Sequence, residues 1–229
     1  MAQPKLIYLA QRRHDFSPIA FTARWRQHAG LGMSQPRWRN VERYLHCDTI
    51  SGLSYDLPTI ECDGVAIVVF HTEANRQNHI AEENSRAIMK SDERDTFAQP
   101  VADTTLLTHE HIIKPGPGGE YKLFVFWEAN DEGLDFLPAW RASGQHWLTR
   151  LCDQNDINVV QSQPVQARHE RLAGLQCDGI DEISSSDAAG LQLLAQEWVH
   201  SVQLPARAKM VLTRAVVLHD RPRILQGSL

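Results

Sequence analysis

The sequence predicts an α+β chain built from two fused copies of one βαββαβ unit, and three recurrences predict it. Lys5-Leu6-Ile7-Tyr8-Leu9 returns as Lys122-Leu123-Phe124-Val125-Phe126. Phe21 with Trp25-Arg26 returns as Phe136 with Trp140-Arg141, and Cys62-Asp63-Gly64-Val65 returns as Cys177-Asp178-Gly179-Ile180. The last two share an offset of 115 residues, and the first differs from it by two. A repeat this long, present twice, is a duplicated unit rather than a solenoid, whose repeats are shorter and more numerous. Two such units in one chain can pack on each other as a homodimer would.

The 229 residues suit two units of about 100–120 residues each. We place them at 1–114 and 121–220, with a linker at 115–120 and a tail at 221–229. Charged residues make up 22% and apolar ones 42%, the balance of a soluble globular protein. The net charge of −5 argues against nucleic acid as partner, since a groove binder carries a basic excess. The apolar run Leu6 to Ala10 is far short of a signal peptide or a membrane span, so a cytoplasmic protein without membrane contact is expected. None of Cys47, Cys62, Cys152 and Cys177 forms a CxxC pair. They read as reduced, partly buried thiols, and with ligand spacing absent no metal is expected.

The elements follow in order. Residues 5–10 form a first strand. Ser17-Pro18 supplies an N-cap and a proline at the first helical position, starting a helix that ends near Gly30 or Gly32. Phe21, Trp25 and His28 share its core face, with Arg24, Arg26 and Gln27 opposite. Asn40 to Ile50 is a second strand. A connection through Gly52 to Pro58 leads to a tight turn at Asp63-Gly64 and the fully apolar run Val65 to Phe70, a central strand. Thr72 to about Phe97 reads as one polar helix, and Thr104 to Ile113 as the last strand of the unit. Lys114-Pro115-Gly116-Pro117-Gly118-Gly119 is the linker. The second copy has strands at 121–128, near 156–163, after Gly179 and at 208–218, with helices near 132–151 and 187–199. Pro138 makes its first helix kinked or late-starting.

The string Phe21-Thr22-Ala23-Arg24-Trp25-Arg26-Gln27-His28-Ala29-Gly30-Leu31-Gly32 resembles the first helix of the EthD family. Arg39-Asn40-Val41-Glu42-Arg43-Tyr44, Asp63-Gly64-Val65-Ala66, Asp92-Glu93 followed by Phe97, and Glu110-His111-Ile112-Ile113 extend the resemblance across residues 5–113. Two features depart from the family pattern. His28 stands three residues after Trp25 where many relatives have four, and the Gly-Pro-Leu that follows in them is missing. The resemblance implies the dimeric α/β-barrel superfamily. Its ferredoxin-like units here would build the eight-stranded barrel within one chain, leaving room for two fused chains to associate. It also implies a small-molecule protein; the superfamily includes cofactor-free monooxygenases, isomerases, dehydratases and haem enzymes.

Imidazole is the candidate catalytic group, because it can accept and donate a proton near pH 7. His109 and His111 alternate on one strand and share a face, expected to line the barrel. His28, replaced by Ser143 in the second copy, is the expected proton acceptor. Tyr44 and His46 share a face of the second strand and, with Tyr8, would orient a small apolar or aromatic substrate. Trp25 counts among the residues near that substrate, although its repetition as Trp140 gives it a packing role. Trp38, Trp127, Trp147 and Trp198 are expected in the core or an interface. The sequence has no GxGxxG after a strand, no Walker loop, no HExxH and no nucleophile elbow, so no nucleotide cofactor is expected. Haem needs a single axial histidine and stays open among eleven. A non-catalytic ligand-binding or stress-type module is the alternative to an enzyme.

Overall fold

A computed structural model describes residues 3–50, 58–130, 135–151, 153–201 and 203–221, with backbone alone at 198–201. The first half runs β1 (Pro4–Ala10), α1 (Pro18–Met33), β2 (Val41–Thr49), β3 (Gly64–Phe70), α2 (Glu73–Ala81), α3 (Glu83–Thr96) and β4 (Thr105–Lys114). The second runs β5 (Tyr121–Ala129), α4 (Phe136–Arg150), β6 (Asn158–Pro164), β7 (Gly179–Ser185), α5 (Ala188–Ser201) and β8 (Ala206–Asp220). Short 3-10 turns precede β2, β4 and β7. Among the described residues no helix is long and apolar enough to cross a membrane.

The eight strands close into an antiparallel barrel in the order β1-β3-β2-β8-β5-β7-β6-β4. Within each half the fourth, first, third and second strands stand side by side. The halves meet along two seams, β2 with β8 and β4 with β6.

Strand alternation sorts side chains into three layers. Ile7, Leu9, Leu45, Val65, Ile67, Phe124, Ile180 and others fill the barrel from seven strands and touch no helix core. At one end of this interior Lys5 is sealed, with Glu182 at 2.6 Å and Glu110 at 2.9 Å. Burial opposes the charge on Lys5, but the two carboxylates outweigh it and hold its pKa above the ordinary value. Removing one member would leave the others charged in a poor solvent, which costs more than the pair gains. The other two layers lie outside, one under α1 and one under α4 and α5. The barrel is therefore a packed core rather than the expected substrate cavity.

Ser17 caps α1 as expected, its hydroxyl accepting from the Ala20 N–H, and the helix runs through both glycines to Met33. Pro138 lies in the first turn of α4, so that helix starts late rather than kinking. The single helix expected over 72–97 is two. Glu82 leaves helical geometry at ψ 86°, and a uniformly polar stretch carries no periodic signal that would mark the break. The connection at 51–57, Cys152, the tail at 222–229 and the Trp198 side chain lie outside the description. Trp38, Trp127 and Trp147 are buried, as expected.

The recurring Asp-Gly has a different reason from the tight turn read from the sequence. Gly64 opens β3 without a positive φ, and a Cβ there would stand 2.5 Å from the Trp25 ring and 2.8 Å from the Cys47 carbonyl oxygen. Gly179 faces Trp140 the same way, at 2.9 Å. The aspartates hold the preceding strand ends: Asp63 accepts from the Arg12 N–H at 2.7 Å, and Asp178 from the Ala129 N–H at 2.8 Å. Phe21 stacks on Trp25 at 5.8 Å and 15°, and Phe136 on Trp140 at 5.9 Å and 15°. The repeated motif is thus a seat for a tryptophan. Gly64→Ala should overfill it and lower stability by about 1–3 kcal/mol, read as a shift in the urea midpoint with unchanged slope.

Candidate functional site

The chemistry-bearing residues of the first half gather between its sheet and α1. Tyr8, Tyr44 and His46 point outward from β1 and β2, toward Trp25 and His28 on α1, and all five are buried. The Trp25 Nε1–H donates to the Tyr8 hydroxyl at 3.1 Å. Tyr8 and Tyr44 share a hydrogen bond at 3.1 Å, and His46 Nε2 lies 2.5 Å from the Tyr44 oxygen. At the far end Arg26 Nη1 bonds His46 Nδ1, and its Nη2 pairs with Asp48. The His46 ring lies flat on Trp25, centroids 3.7 Å apart.

The direction of each bond follows from which groups can only donate. A guanidinium has no acceptor, so His46 Nδ1 must accept from Arg26. Burial, then the Arg26 charge, pushes the His46 pKa well below its usual value, so the ring is neutral and carries its proton on Nε2. That proton goes to Tyr44. Indole also only donates, and its hydrogen goes to Tyr8. Fixed donors thus arrive from both ends. The two phenols have two protons between them and need one for their mutual bond. The second has no acceptor among the described residues. Burial raises the Tyr8 pKa to about 12 and Tyr44 well above its ordinary value, so both phenols stay protonated.

His28 sits in a second array. Its Nδ1 lies 2.7 Å from Asp92 Oδ2, and Arg24 bonds Asp92 Oδ1 at 2.5 Å. Burial pushes Asp92 up, but Arg24 and His28 outweigh it and hold its pKa low. The ionised carboxylate fixes the proton of His28 on Nδ1 and leaves Nε2 bare. Among the described residues Nε2 has no hydrogen-bond partner. For His28 itself burial prevails over Asp92 and lowers the pKa. Phe97 packs edge-on against both arrays, 5.0 Å from His28 and 6.2 Å from Tyr8. Its ring also bounds a groove of about 940 Å³ outside α3.

His109 and His111 are not part of this site. They share a face of β4 as expected, but that face is the outer, exposed one, because Leu106 and Thr108 turn inward and carry Glu110 with them. The same alternation that paired them excludes them from the barrel. Tyr44 and His46 do form a pair, over the helix layer instead of a barrel pocket. Sequence reasoning assigned Arg26 to the wet face of α1, and gave Asp92 and Phe97 no role. The signal for Arg26 was present in the repeated Trp-Arg: Arg141 reaches Gln163 in the second half as Arg26 reaches Asp48 in the first. Asp92 and Phe97 come from a distant helix end, and no spacing connects them to α1.

The second half has the frame without the chemistry. Tyr8 and His46 flank Ala66 in register, while Val125 and Gln161 flank Asp181. Trp127, Trp140 and Gln161 all donate to the Asp181 carboxylate. Burial raises its pKa to about 6 against those three donors. Every donor around Asp181 is spent. Among the described residues no three His, Cys, Asp or Glu side chains group as a metal site would need.

No known family profile and no curated protein matches this sequence. Solved structures do match along nearly the whole chain. An anthrone oxidase-like protein superposes with a TM-score of 0.60 at 11% identity, covering 100% of this chain and 98% of that one. A candidate monooxygenase from Lactobacillus acidophilus gives 0.52 at 12%, covering 95% and 99%. A haem-binding protein from Thermus thermophilus gives 0.51 at 8%, covering 94% and 91%. At these identities the likeness is one of fold. What the chain shares with them is the fold, here an eight-stranded antiparallel barrel closed within a single polypeptide.

His79 offers a direct check on the electrostatics of this layer. Burial, then the Arg37 guanidinium, lowers its pKa to about 4, against a bond to the Arg37 carbonyl oxygen at 3.0 Å that raises it. The unfolded histidine binds a proton first, so this contribution is complete above pH 6.5 and is lost as pH falls toward 4. Its full size is about 3 kcal/mol. His79→Gln should flatten the loss of stability between pH 7 and 4.5 by about 2–3 kcal/mol, measured by urea unfolding at both values.

Proposed function

We propose that this chain is a small-molecule oxidoreductase of the oxygenase type, acting without nucleotide or haem on an aromatic substrate such as an anthrone or activated phenol. Its site is the layer under α1, and only the first half is active. The observation that carries this reading is the unspent phenolic proton of the Tyr8–Tyr44 pair, in the same layer as the bare Nε2 of His28, with Phe97 packed on both. The solved structures of similar fold support the reaction class. We also assign the chain to the EthD branch, as two fused ferredoxin-like copies at 1–114 and 121–220. The matched Phe–Trp stacks, glycine seats and strand orders support the two like copies, and the EthD branch rests on the resemblance of residues 5–113.

In this reading His28 takes a proton from an acidic C–H or O–H of the substrate, with Asp92 stabilising the imidazolium. The spare hydroxyl of the tyrosine pair donates to the substrate oxygen on which charge develops. Dioxygen takes the electrons. For an anthrone the sum is anthrone plus dioxygen giving anthraquinone plus water, so no external reductant is needed. Trp25 and His46 hold the tyrosines, and Phe97 stands between them and the groove.

Haem fits this donor set poorly. His46 has both nitrogens engaged and an indole 3.7 Å from its ring. His28 and His79 are 5% and 8% exposed with Phe97 and Phe70 packed edge-on against them, so neither imidazole opens onto a space as wide as a porphyrin. A Soret band on mixing with haemin would overturn this part. A binding module is the second reading, favoured by the packed barrel and by the Phe97 ring covering the site.

Oxygen uptake with anthrone tests the enzyme reading. Each single variant, Tyr8→Phe or Tyr44→Phe, still leaves one phenol with an unspent proton, so each keeps part of the rate. The double variant should lose about 10²-fold in kcat, and His28→Asn about as much. A double variant as active as the wild type removes tyrosine from the mechanism. Anthrone binding without oxygen uptake would favour the module.

A further inference from the structure

The groove beyond Phe97 has a chemistry of its own, separate from the catalytic reading. It is about 940 Å³ and runs between α3 and the segment leading to β4. Met89, Phe97 and Val101 give it an apolar floor. Arg37, Arg86, Lys90 and Arg94 stand around that floor, and none of the four makes a salt bridge among the described residues. In contrast, Arg12, Arg13, Arg24 and Arg26 on nearby elements are all ion-paired. Among the described residues the only acids lining the groove are Glu93 and Asp103, so it is locally cationic in a chain whose net charge is −5.

Arg37 is the informative member. Its Nε is buried with no hydrogen-bond partner, and its guanidinium has no acceptor among the described residues. Burial lowers its pKa, with the Glu93 charge working against that loss. Arg37 is half-buried, with Nε alone sealed from water; a sealed donor lacking an acceptor is costly, and a carboxylate is the group that the planar fork fits. Arg86 and Arg94 spend single bonds on the Ile80 carbonyl oxygen and the Ser91 hydroxyl, and Lys90 spends none among the described residues.

We infer that this groove is a binding site for a small amphipathic carboxylate, its apolar body lying on Met89, Phe97 and Val101 and its carboxylate on Arg37. Arg86 and Lys90 supply long-range attraction at the rim. Glu93, beside Arg37, competes with the ligand for that charge.

The test is calorimetric titration of the full chain with 2-naphthoate and with its neutral counterpart 2-naphthamide. Naphthoate should bind about tenfold tighter or more, and Arg37→Met should erase that difference while leaving naphthamide nearly unchanged. Glu93→Gln should tighten naphthoate by about threefold or more. If Arg37→Met does not fold, the exposed pair Arg86→Ala and Lys90→Ala serves instead, with an expected loss of about threefold together. Equal binding of the two probes would overturn the proposal, as would binding insensitive to all these substitutions. Dimerisation that excludes naphthoate would place a second copy in the groove and overturn it as well.

Discussion

Closure of the sheet is the constraint on which everything else depends. Each half alone would be a four-stranded sheet with two free edges and an apolar face, and both are liabilities in water. The seams between β2 and β8 and between β4 and β6 pair all four edges at once. The same closure turns one face of every strand inward. Those side chains become a common core, ended by the Lys5, Glu110 and Glu182 cluster. Side chains of the other face then stand outside the barrel, under a helix. That is why Tyr8, Tyr44 and His46 lie beneath α1 and not inside the barrel.

The two halves show one frame with two electrostatic outcomes. Both seat a tryptophan over a glycine and stack a phenylalanine on it. In the second half the indole N–H meets the Asp181 carboxylate, and three donors satisfy a group with no proton to give. In the first half Ala66 takes the place of that carboxylate, and the indole N–H meets a phenol instead. Phenols carry protons of their own, so the chain of bonds ends with one left over. A few side-chain exchanges in a fixed register separate a network whose donors are all spent from one with a phenolic proton left over.

Much of the fold was legible because a motif that recurs within a chain leaves a signal that does not depend on propensity. The Phe21, Trp25 and Asp63-Gly64 recurrences marked positions that carry the same Phe–Trp stack over a glycine in both halves. Strand alternation correctly paired His109 with His111 and Tyr44 with His46. It could not say which face was inner, since a period of two is the same seen from either side. The break at Glu82 and the seat made by Gly64 were equally hidden: the first has no periodic mark, and the second needs the tryptophan in place.

The sequence by itself determined the α+β class, the core face of α1 and the concentration of imidazole and phenol in the first half. Those are properties of short segments and of comparison within the chain. Only the tertiary structure decided that the barrel is a packed core. It alone placed Asp92 and Arg26 against the two histidines, and put Phe97 between that layer and a cationic groove. Each of these depends on where separate elements meet when the sheet closes, and local sequence does not encode distances between elements far apart in the chain.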